Sequence, residues 1–192
     1  MAFDTSTLIT NRTQADVDRV RLLSKKGVGA MTQSELSEFL SDMRGAYNAA
    51  DLNRVESAVA YLADFLRSIP AETKEYAESI GVAWDELFDT PYNPDTIVLT
   101  VKTNWGALDV PCSGDLERYL SNVAFLQASI SVESETLPES IEKLSWDGAN
   151  AIERVLFDID IGAKELLAAL KQKIDNTKAA AFFSGEVFSG EV

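Results

Sequence analysis

Between residues 52 and 69 the apolar side chains Leu52, Val55, Val59, Leu62, Leu66 and Ile69 recur at steps of three and four. That period puts all six on one stripe of an α-helix and leaves almost no other way to bury them. The same pattern returns in Leu116, Tyr119, Val123, Leu126 and Ile130. It returns again in Ile152, Val155, Ile159, Leu166, Leu167, Leu170 and Ile174. Such stripes form a helical core, or a seam against other subunits built on the same pattern. Pro70 is expected to end the first of these helices.

Four stretches along the chain resemble one another: ADVDRV (15–20), ADLNRV (50–55), GDLERY (114–119) and NAIERV (150–155). Their arginines, Arg19, Arg54, Arg118 and Arg154, are spaced by 35, 64 and 36 residues. The long middle interval predicts two halves, each with a pair of related helices. The clearest match sets DLNRVESAVAYL (51–62) against DLERYLSNVAFL (115–126), with seven of twelve positions identical. Each arginine lies next to a stripe position, so its stem can run along the core edge with its head group polar. A salt bridge to a nearby acid is the expected role, with an anion site as the alternative. Thr13 and Asn48 read as N-caps with Asp16 and Asp51 three residues on, TQSE (32–35) reads as a capping box, and Ser113 is the expected cap of the third helix.

The expected architecture is mainly α, a helical bundle of two pseudo-repeated helical units joined by an irregular linker. The units span 1–92 and 113–178. The linker, 93–112, holds a short β segment, TIVLTVK (96–102), that alternates and is β-rich. Residues 179–192 are expected to form an extended tail that ends on FSGEV twice over (183–187 and 188–192). The apolar residues Phe182, Phe183, Val187, Phe188 and Val192 make this tail a candidate assembly interface, adding to a neighbour's sheet edge or entering its pockets. Trp105 and Trp146 are read as hydrophobic staples or interhelix filler rather than sugar-binding platforms, and Trp84 as the anchor of a short helix.

Charge and chemistry narrow the function. With 31 acidic against 17 basic residues the net charge is −14, which opposes binding to nucleic acid or to anionic membrane. No apolar run is long enough to span a bilayer, and MAFDTSTLIT lacks the pattern of a signal peptide. The chain has no histidine and one cysteine, Cys112, so no Ser-His-Asp or Cys-His system and no histidine-bound metal is available. KKGVGAM (25–31) is not a phosphate-binding loop, FDIDIG (157–162) lacks calcium-loop spacing, and FSGE is not a nucleophile elbow. No catalytic, cofactor or metal residues are assigned, and the chain reads as a non-enzyme.

ITNRTQADVDRVRLLSKKG, MRGAYNAADLNRVESAVAYL and KTNWGALDVPCSGDLERYLSNV, together with LSWDGANAIERVLFDID and the final FFSGEVFSGEV, resemble a family of small proteins. That family is encoded in the tail modules of phages and prophages of Gram-positive bacteria. The resemblance covers most of the chain; residues 70–95 are its least distinctive part. It implies a virion tail component made in the host cytoplasm, at the tail tip or baseplate or attached to fibres. The implied partners are other tail proteins, with homo-oligomerisation in the particle. The alternatives are a receptor-binding or fibre-accessory module and an assembly factor absent from the finished particle.

Overall fold

The computed structural model describes residues 3–41 and 43–184. Five α-helices carry the fold: α1 (Gln14–Lys26), α2 (Gln33–Phe39), α3 (Ala49–Ser79), α4 (Ser113–Ile130) and α5 (Trp146–Ser184). Their starts follow from side-chain caps. Thr13, Thr32 and Asn48 each form a capping box with the acid three residues on, Asp16, Glu35 and Asp51. At α4 the cap is Cys112 rather than Ser113, because Asp115 reaches back one residue further, to the Cys112 backbone N–H at 3.0 Å.

The three long helices share one core. The α3 stripe Leu52, Val55, Val59, Leu62, Leu66 and Ile69 meets Tyr119, Val123 and Leu126 of α4 and Ile152, Val155, Leu156 and Ile159 of α5. Each fully buried aliphatic side chain contributes about 1.5–3 kcal/mol of burial free energy. Residues from both expected helical units thus lie in the same cluster. A second, smaller cluster at the far end joins Ala77, Phe88 and Ile174. The helices α1 and α2 sit outside; Leu23 is the one buried residue of α1, and α2 buries none.

Three further expectations change. Among the described residues there is no strand. The segment around 97–101 runs without a ladder because helix side chains take its carbonyls. Arg67 donates to the Ile97 carbonyl at 3.2 Å, and Arg118 and Asn122 both donate to that of Thr100 at 2.9 Å. These bonds tie the segment to α3 and α4 at two carbonyls, and Ile97 between the helices is fully buried. The tail is helical as far as Ser184, so residues 179–184 are not extended; Ala179, Ala180 and Ala181 are strong helix formers.

Pro70 does not end its helix either: α3 continues to Ser79. Proline has no N–H, so the carbonyl four residues earlier, on Leu66, loses its helical donor. The Tyr92 hydroxyl supplies the missing hydrogen bond at 2.9 Å. Burial pushes the Tyr92 pKa up to about 12, so the hydroxyl keeps its proton. Tyr92→Phe is expected to cost about 1–2 kcal/mol in urea melts. The penalty should shrink in a Pro70→Ala background, where the backbone donor returns; an additive double-mutant cycle would contradict this assignment.

Capping also sets the acid limit. Asp4, Asp16 and Asp115 titrate below the ordinary carboxylate range, through hydrogen bonds from Ser6, Thr13 and Cys112 respectively. Glu35 is lowered from 4.5 to about 2, first by Lys26 and then by Thr32. A folded-state pKa below the unfolded value means that the unfolded chain binds more protons on acidification. The contribution of Glu35 is complete above pH 4.5 and disappears as pH falls toward 2. Circular-dichroism melts are expected to lose midpoint temperature through that window, and Glu35→Gln to flatten the loss.

Candidate functional site

The polar centre of the fold is a charge quartet that joins three parts of the chain. Glu153 of α5 is 0% exposed, and its carboxylate accepts four hydrogen bonds. One oxygen takes Arg12 Nη2 at 2.6 Å and Arg54 Nη2 at 2.7 Å; the other takes Arg54 Nε at 2.8 Å and the Ile9 backbone N–H at 2.6 Å. Asp51 of α3 accepts from Arg12 at 2.7 Å and from Arg54, and its second oxygen caps the Asn48 N–H. Two cations face two anions, so the cluster is neutral while its members are desolvated. Burial works against the charge on Arg54, but the hydrogen bonds to Glu153 and Asp51 outweigh it and raise its pKa.

Arg12 also lies 5.5 Å from the Tyr47 ring centroid and donates Nη1 to the Ile9 carbonyl at 2.7 Å. The Tyr47 hydroxyl bonds that of Tyr119, and burial raises the pKa of both. Residues 5–12 are thereby strapped antiparallel along α5. Thr5 Oγ1 donates to Asp160 at 2.7 Å, and the Arg12 backbone exchanges two 2.9 Å hydrogen bonds with the Asn150 side chain.

The four matched arginines have different roles. Arg19 pairs with Glu38 of α2, Arg54 with Asp51 and Glu153, and Arg118 with Glu56, itself 1% exposed, at 2.7 Å. Arg154 instead bonds Thr10 Oγ1 at 3.2 Å and lies over the Phe157 ring. Sequence reasoning missed Arg12 and Glu153. The available signal was the position of Glu153 beside the buried stripe residue Ile152.

Surface cavities are also present. One of about 220 Å³ lies between α1, the turn at Arg44–Tyr47 and the start of α5. Arg12, Arg21 and Arg44 line it together with Val17, Leu144 and Trp146, and no carboxylate does. Four other cavities each have an acid on the wall. Gly45 shapes this one: a Cβ there would stand 2.1 Å from the Asp16 carbonyl oxygen, so only glycine lets the turn press against α1. Leu108 and Val110 are 96% and 89% exposed on the loop before α4, and Asp109 between them holds Lys102 at 3.0 Å. Trp105 is buried in the core, and Trp146 is half-buried.

Of the candidate interface residues, Phe182 is exposed near the end of α5. The Phe183 side chain and residues Val187, Phe188 and Val192 lie outside the described residues. No helix of the described residues is long and apolar enough to cross a membrane. Compared with protein-family models, curated proteins and solved structures, the chain matches none.

The quartet predicts a sharp contrast between buried and exposed ion pairs. Glu153→Gln leaves two arginines facing one carboxylate and is expected to cost about 3–5 kcal/mol. Glu38→Gln, in a pair whose side chains are 38% and 39% exposed, is expected to cost about 0–1 kcal/mol. Denaturant titration of the two variants checks both values.

Proposed function

We propose that the protein is a structural component of a phage tail or tail-like particle, acting through protein–protein contacts without catalysis. The observation that carries this reading is α5, which continues for ten residues past Ile174, its last fully buried position among the described side chains, and runs into the first FSGEV pentapeptide. A helix that leaves its own core and carries an exposed phenylalanine suits attachment to a neighbour. The sequence motifs that resemble the tail-module family support an architectural role. Arg12, Asp51, Arg54, Arg118 and Tyr119 all belong to them, and all are engaged in the interior. The four matched stretches are read as copies of one helical unit, with the arginine position adapted to different neighbours.

In the particle the chain is an adaptor at the tail tip, baseplate or fibre attachment, with other tail proteins and further copies of itself as partners. Burial of Trp105 favours this over a receptor-binding module, which would display its aromatic residues. The test is quantitative mass spectrometry of purified particles. Full-length protein is expected at a fixed copy number, and a form lacking residues 182–192 is expected to be lost. Absence of both forms would make an assembly factor outside the particle the better reading.

A further inference from the structure

We infer that the arginine-lined cavity between α1 and the start of α5 is the receptor for the Phe-Ser-Gly-Glu-Val segment of a second copy of this chain. The inference rests on the structural reading above and deepens it by naming where the tail docks.

Chemistry selects the ligand class. In a chain of net charge −14, this cavity is lined by three arginines and no acid. Arg12 is 3% exposed and its charge is balanced by Asp51 and Glu153, which leaves Arg21 and Arg44 as the cations on the wall available to a ligand. Arg44 donates to the Asn11 side chain at 3.1 Å and makes no ion pair within 4 Å among the described residues, though its charge helps to lower the Asp16 pKa. Arg21 holds Asp18 only at 3.5 Å, with both side chains more than 60% exposed, a contact that is readily exchanged. Asp16 on α1 is occupied by its capping box with Thr13. The first turn of α5 forms another wall through Trp146 and Ala149. Val17, Leu144 and Trp146 supply apolar surface beside these charges. At about 220 Å³ the space suits one or two side chains rather than a whole cofactor. A glutamate a few residues from a phenylalanine or valine matches it, and residues 183–192 contain that combination twice with no cation.

Geometry selects the source. The cavity lies at the start of α5, and the pentapeptides follow its other end. From Ala149 to Ser184 the helix measures roughly 50 Å at about 1.5 Å per residue. The eight residues 185–192, fully extended, reach at most about 29 Å. The segment therefore falls short of its own cavity and can fill only that of another molecule. The contact is head-to-tail, which closes into a ring or propagates as a fibre depending on the rotation between copies.

The test is analytical ultracentrifugation of the full-length chain, with synthetic FSGEVFSGEV as competitor. Wild type is expected to self-associate, and excess peptide to dissociate it. A scrambled peptide of equal composition, or one with both glutamates changed to lysine, is expected to have no such effect. Arg21→Glu with Arg44→Glu should weaken association about tenfold or more, as loss of charge-assisted hydrogen bonds implies. Glu186→Lys with Glu191→Lys should do the same, and mixing the two variants should restore association between unlike copies. Arg21 and Arg44 lie outside the core cluster, and unchanged melting temperatures verify the fold of all variants. Wild type that stays monomeric, scrambled peptide that competes equally, or cavity variants that associate normally would each overturn the assignment. In the last case, loss of the tail-deleted form from particles would leave the tail's assembly role standing. Conversely, peptide-reversible association of a protein absent from particles would keep the cavity assignment and defeat the structural reading.

Discussion

The carboxylate of Glu153 sits where water cannot reach it, and the surrounding structure is arranged to satisfy it. Arg12 arrives from the N-terminal strap, Arg54 from α3, and the Ile9 backbone N–H closes the fourth hydrogen bond. Remove any one of these and a buried charge is left short of donors, which costs more than the pair itself contributes. An apolar contact tolerates small slippage; a carboxylate with four fixed donors does not. The hydrophobic stripes therefore bring α3, α4 and α5 together, while the quartet fixes the register of the strap and α3 against α5.

The same logic recurs on a smaller scale away from the quartet. Glu56 is satisfied by Arg118, and that arginine also takes the Thr100 carbonyl. One side chain therefore neutralises a buried acid on α3 and holds the linker against α4. Asp160 receives Thr5 and Lys164, anchoring the first residues of the strap. In each case a segment outside the α-helices is held by side chains from them. This is how a chain with five helices and long irregular connections keeps those connections ordered without a sheet.

Much of the helical plan was legible in the sequence because it rests on local rules. The stripes of α3, α4 and α5 and the caps Thr13, Thr32 and Asn48 depend on residues within a few positions of one another. Two of the errors came where a distant side chain changed the local outcome. Pro70 should stop a helix, but Tyr92 replaces the lost donor. TIVLTVK has the alternation of a strand, but Arg67, Arg118 and Asn122 take its carbonyls. Of the candidate site, the repeated arginines were visible as a pattern, and their partners were not. Arg12 stood in plain view within ITNRTQADV, but its role depends on Asp51 and Glu153, 39 and 141 residues away. No local period encodes such a pairing.

That separation has a consequence for synthesis. A ribosome releases the chain from the N-terminus, so Arg12, Asp51 and Arg54 emerge long before Glu153 exists. At about 5–20 residues per second, the 141 residues between Arg12 and Glu153 take roughly 7–30 s to make. Throughout that interval the strap has no α5 to lie on, and the α3 stripe lacks its largest partner. The nascent protein therefore passes through a stage in which only α4 can cover the α3 stripe, and like charge between such acidic chains opposes their association.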